Sequence, residues 1–85
     1  LISEYQELSE GFIEEYQNEI DWHGISMKQE LSESFIEKHK DKVDWKMISG
    51  YQKLSKEFII KYKDKININN LYNNKRMNKI LIFDL

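Results

Sequence analysis

Apolar residues along this chain fall in short clusters separated by charged and amide side chains, and the clusters recur. The stretch "LSEGFIEEYQNEIDWHGIS" (8–26) sets Leu8, Phe12, Ile13, Tyr16, Ile20, Trp22 and Ile25 among acids and amides. The pattern returns 23 residues later as "LSESFIEKHKDKVDWKMIS" (31–49), and again as "LSKEFIIKYKDKININNLY" (54–72), without a gap. Leu8, Leu31 and Leu54 correspond, as do Ser9, Ser32 and Ser55, Phe12, Phe35 and Phe58, and Asp21, Asp44 and Asn67. A degraded fourth copy places Met77, Asn78, Leu81 and Ile82 at the Leu, Ser, Phe and Ile positions. Such a period is the signature of a repeat architecture.

Each copy predicts two short helices. Ser32 is a good N-cap, and Leu31 before it stands five residues from Ile36, the spacing of a hydrophobic staple. The first helix of that copy therefore starts at about residue 33 and ends near Asp41, with Phe35, Ile36 and His39 on one face. Asp44, between Val43 and Ile48, repeats the cap and staple for a second helix from Trp45 to about Gln52. Ser9, Ser55 and Asn78, with Asp21 and Asn67, complete the set of caps. Helices of roughly eight residues are too short to be stable alone, so each copy must bury its apolar face on the next.

The expected fold is all-α: helix pairs stacked as a solenoid-like α-α array of about three and a half 23-residue repeats in a single domain. The copies span residues 8–30, 31–53 and 54–76, with 1–7 matching the end of a preceding unit and 77–85 serving as a degraded cap. Trp22 and Trp45 are the expected large fillers between layers; Ile68 replaces Trp in the third copy, and the pattern fades toward the C-terminus as in a terminal cap.

Charge adds a polarity. Residues 1–37 carry ten acids against one base, Lys28, whereas residues 38–85 carry twelve bases against five acids. The total of −2 thus conceals a dipole along the chain. Absence of Cys excludes disulfides and thiolate zinc sites and suits a reducing compartment. No apolar run approaches a signal peptide or a membrane span, so the expected location is the cytoplasm.

The unit "YQKLSKEFIIKYKDKI", with "KDKVDWKMIS" one copy earlier, resembles a repeat of the form Y-Q-x-L-S-E-x-F-I-x-x-[FY]-x-D-K-[VI]-D-W-x-x-I-S found in poorly characterised proteins of AT-rich phages, large DNA viruses and some low-GC bacterial hosts. The resemblance covers residues 1 to about 72 and is closest over Leu31 to Ser49. It implies a viral or mobile-element origin, and hence the host cytoplasm, and it brings no catalytic or ligand residues with it.

Candidate chemistry is sparse. His39 stands where sister copies have Tyr16 and Tyr62, and reads as an interchangeable helix-face residue; His23 occupies an exposed place shared with Lys46 and Asn69. Two such histidines do not make the three or four converging ligands of a zinc site. Glu14, Glu15 and Glu19 read as a solvated helix face, and the serines as caps (Ser9, Ser32, Ser55) or small residues within second helices (Ser3, Ser26, Ser49). The three glycines are isolated and form no phosphate loop. No enzyme and no cofactor is expected.

The strongest polar signal is a lysine stripe in which Lys38, Lys40 and Lys42 recur as Lys61, Lys63 and Lys65. Stacking would bring both sets to one rim near His39 and Tyr62, where they could contact an acidic protein or phosphates. Glu15 and Glu19 hold two of these places in the first copy, so pairing between adjacent units is the competing reading. Three roles follow. The leading one is a protein-binding module acting on a host or defence protein; the others are nucleic-acid binding through the lysines, and head-to-tail self-association of the acidic and basic ends.

Overall fold

A computed structural model describes residues 7–77. Among these residues the chain forms six helices and no strand: α1 (Glu10–Glu15), α2 (Trp22–Lys28), α3 (Glu33–Lys38), α4 (Trp45–Tyr51), α5 (Lys56–Lys61) and α6 (Ile68–Tyr72). Each start follows from a cap. The Ser9, Ser32 and Ser55 hydroxyls accept from the amides of Phe12, Phe35 and Phe58 at 3.1, 3.2 and 3.1 Å. Asp21 accepts from His23, Asp44 from Lys46 and Met47, and Asn67 from Asn70. These bonds satisfy amides that a helix start otherwise leaves without partners. Asn78 and Ser3 lie outside the described residues, as do the degraded cap beyond Met77 and most of the partial unit 1–7.

The first helices stop earlier than their sequence predicts. α3 ends at Lys38 rather than near Asp41, because His39 to Lys42 turn instead, with the Lys42 amide donating to the His39 carbonyl at 2.9 Å. The Trp45 indole N–H donates to the Lys40 carbonyl at 2.9 Å, and Trp22 treats the Gln17 carbonyl alike. α5 ends at the matching place although Ile68 offers no such donor, and its turn keeps the bond from Lys65 N–H to the Tyr62 carbonyl. The indole therefore satisfies a carbonyl that the turn has already exposed; it does not create the stop.

Equivalent residues of the three copies build the core. Ile13, Ile36 and Ile59 are buried, as are Ile25, Ile48 and Leu71, with Leu31, Leu54, Phe35, Phe58, Val43 and Ile66. The second helices pack in sequence, α2 on α4 and α4 on α6. The body measures 39 × 22 × 17 Å, about twice as long as broad.

Gly11 tests how far local propensity limits these short helices. It lies in α1 without positive φ, and a Cβ there would meet no heavy atom within 4 Å. Its counterparts are Ser34 and Glu57. Gly11→Ala is expected to stabilise the chain by about 0.5–1 kcal/mol, read as a rise of roughly 3–6 °C in the thermal midpoint by circular dichroism.

Candidate interaction surface

The polar groups that join consecutive copies show which charges remain available. Glu10 at the start of α1 receives the Ser32 amide at 2.6 Å and the Ser32 hydroxyl at 3.0 Å; Glu33 receives Ser55 in the same way, at 2.6 and 3.1 Å. Each carboxylate thus grips the cap of the next copy. Lys56 stands at this position in the third copy, so its sign is reversed there.

A second link is buried. The Gln52 side chain accepts from the Leu31 amide at 3.0 Å and donates to the carbonyls of Ser26 at 2.8 Å and Gln29 at 2.5 Å. Those carbonyls close the end of α2, where no intrahelical donor remains. Gln29 accepts from the Leu8 amide at 2.7 Å. In the third copy Lys75 occupies the glutamine position, and Asn74, one residue earlier, donates instead to Ser49 and Gln52 at 2.6 and 3.0 Å. Ser26 and Ser49 are also more than small residues: each hydroxyl accepts the amide of the next second-helix cap, Asp44 or Asn67, at 3.0 and 2.9 Å. Sequence reasoning passed over these serines and glutamines. Their signal was recurrence, since Gln6, Gln29 and Gln52 keep the period next to apolar Leu8, Leu31 and Leu54.

The six candidate lysines divide into distinct roles. Lys38 bonds Glu14 at 2.6 Å and Lys61 bonds Glu37 at 2.8 Å, each reaching back one copy. Lys42 also reaches back, to the neutral oxygens of Gln17 and Asn18 at 2.8 and 3.1 Å. Lys40, Lys63 and Lys65 are exposed, and their side chains make no hydrogen bond or ion pair among the described residues. Half the stripe is therefore engaged between copies, and half faces solvent.

His39 and Tyr62 occupy equivalent buried sites, as their shared position predicts, whereas their counterpart Tyr16 is exposed. His39 lies against the rings of Phe35 and Trp22, at 4.6 and 5.4 Å between centroids. Its Nε2 has no hydrogen-bond partner and faces Glu14 Oε1 at 3.5 Å. His23 is exposed, with Nδ1 2.8 Å from Asp44 Oδ2. Burial pushes the Asp44 carboxyl up, but the His23 contact and the amides of Met47 and Lys46 outweigh it and hold the group below its ordinary value. Among the described residues no three His, Asp or Glu side chains converge as a metal set, and no helix is long and apolar enough to cross a membrane.

The lysine contacts give stability a pH dependence. Lys38 chiefly holds the Glu14 carboxyl below its ordinary 4.5, and Lys61, followed by the Tyr62 hydroxyl, does the same for Glu37. A lowered folded-state value means that the unfolded chain binds the proton more tightly. The contribution is therefore present above about 4.5 and is lost as pH falls through the folded values. Lys61, raised by Glu37, and Tyr62, raised first by burial, place the opposite limb at alkaline pH. Urea midpoints should fall from about pH 5 to about pH 3, and a Glu14→Gln/Glu37→Gln double variant should show a shallower fall.

No family model matches the chain, and no curated protein or solved structure matches it either.

Proposed function

We propose that the chain is a non-enzymatic protein-binding module, built as an α-α array of stacked 23-residue units whose partner-facing element is the rim carrying Lys40, Lys63 and Lys65. The observation that supports this reading is the division of the stripe: Lys38 and Lys61 are tied to Glu14 and Glu37, while these three lysines are exposed and make no hydrogen bond or ion pair among the described residues. The elongated body, and the recurrence of the same hydrogen bonds one copy apart, support the array. A protein surface with acids opposite the lysines and bases opposite Asp41 and Asp64 suits the rim better than a polyphosphate backbone, which is negative throughout. The resemblance to phage and viral repeats supports a host or defence protein as the partner.

Two experiments test this. Duplicating residues 31–53 in place should yield a longer folded protein with a higher thermal midpoint; an unfolded product would overturn the array. Stoichiometric capture of a bacterial protein should be lost in a folded Lys63→Glu/Lys65→Glu variant, and capture indifferent to these charges would overturn the rim. DNA binding with a steep salt dependence in an anisotropy assay would replace the protein partner by nucleic acid.

A further inference from the structure

His39 is the one buried imidazole among the described residues, and the sister copy shows what it lacks. It is 6% exposed and lies against the Phe35 and Trp22 rings. Its Nε2 is shut off from solvent without a hydrogen-bond partner, yet faces Oε1 of Glu14, in the preceding copy, at 3.5 Å. The other oxygen of that carboxylate bonds the Lys38 ammonium at 2.6 Å. One copy later the same groups recur with a single change. Glu37 takes the Lys61 ammonium at 2.8 Å, and the ring at the imidazole position is Tyr62, set against Phe58 and Trp45. The Tyr62 hydroxyl donates to Glu37. A phenol keeps its proton throughout the neutral range, whereas a neutral imidazole divides one proton between two nitrogens and only the imidazolium carries one on both.

We infer that His39 is a proton-operated latch between the first and second copies: when the ring is charged, its Nε2–H closes on Glu14 and supplies the bond that Tyr62 gives Glu37 at all times. The charged groups facing the ring are Glu14 from α1 and Lys38 from its own helix α3, the latter bound to the same carboxylate; α2 contributes the uncharged Trp22 indole. The carboxylate attracts an imidazolium, and ring centroids at 4.6 and 5.4 Å lie within cation–π reach of it. The Lys38 ammonium and the loss of water oppose it. The coupling is visible from the other partner as well, since Lys38 first, and His39 after it, hold Glu14 below its ordinary value against the effect of burial. A contact that only the charged ring makes adds to the folded state toward about pH 5.5 and is missing at about pH 8, on either side of the range in which an imidazole ordinarily titrates. It is lost again as pH falls below about 4.5 and Glu14 takes its own proton. The first interface therefore tightens on mild acidification, and the second, with tyrosine in the same place, does not respond there.

The latch involves neither the lysine rim nor a partner, so its failure leaves the proposed function untouched. Urea denaturation of the intact chain at about pH 8 and about pH 5.5 tests it: the unfolding constant should be about threefold or more smaller at the lower pH. His39→Tyr, which installs the residue of the sister copy, should be folded by circular dichroism and lose this response, and Glu14→Gln should lose it too. His23→Asn, which matches Asn69 and removes the exposed imidazole beside Asp44, should keep it. An unfolding constant that does not fall, a response that survives His39→Tyr, or one that vanishes in His23→Asn would overturn the latch. If His39→Tyr does not fold, the ring resonances of His39 in the His23→Asn chain decide instead. Their titration should move to lower pH on adding Glu14→Gln, and an unmoved titration would overturn the latch equally.

Discussion

Replacing Gln52 by alanine is expected to cost about 3–6 kcal/mol of folding stability, the largest loss from any single polar side chain among the described residues. Gln52 is 1% exposed, and its amide bonds the Leu31 N–H and the Ser26 and Gln29 carbonyls. Truncation removes that partner from the Leu31 N–H and the Ser26 carbonyl in a dry interior. An orphaned group costs about 1–3 kcal/mol, because unfolding lets water satisfy it. A domain of this size has roughly 4–13 kcal/mol in total, so the variant should be largely unfolded at physiological temperature unless water enters the space. Gln52→Glu separates the contributions, since it keeps an acceptor for Leu31 but loses both donors and buries a charge. It should be at least as damaging. The check is urea denaturation beside Gln17→Ala, a half-exposed control expected to lose about 1 kcal/mol or less. Equal losses at the two glutamines would dismiss the buried amide as a main support.

Ile48→Ala should lose about 2–5 kcal/mol, from the side chain's transfer out of water and from the cavity left behind. Ile48 is fully buried on α4, the helix that packs against both α2 and α6, so collapse around the cavity would have to move two interfaces at once. The contrasting pair is Ile59 and Ile60, adjacent in sequence and opposite in environment: Ile59 is buried, Ile60 is exposed. Ile59→Ala should approach the Ile48 value, and Ile60→Ala should stay within about 0.5 kcal/mol. Chemical denaturation with an unchanged m-value measures all three. A cost at Ile60 comparable to that at Ile48 would mean that the assignment of inward faces is wrong.

Both predictions concern residues whose importance was unequally visible. Ile48 was legible as the apolar member of the Val43, Asp44, Ile48 staple, because a cap and a staple are local patterns within five residues. Gln52 was legible only as a helix end. Its partners lie 21, 26 and 23 residues away, and no local rule states that a glutamine reaches them. The lysines show the same division. The change of sign from Glu15 to Lys38 and Lys61 could be read directly, but a lysine in solvent and a lysine bonded to the preceding copy have the same sequence pattern.

The sequence by itself determined the period, the all-helical character and the starts of α1 to α6, since all six described caps make their bonds within three residues along the chain. It also marked the recurrent apolar positions Ile13, Ile36 and Ile59, which are buried in all three copies. Only the tertiary structure decided that Phe12 and Tyr16 are exposed while Phe58 and Tyr62 are buried. It likewise decided that Asn74 takes over from the displaced glutamine position, and that Lys38 and Lys61 form ion pairs while Lys40, Lys63 and Lys65 form none among the described residues. The reason is physical. A cap bond depends on torsions over one turn of backbone, whereas a bond between copies depends on how closely two helices approach, and that distance is set by all the side chains packed between them.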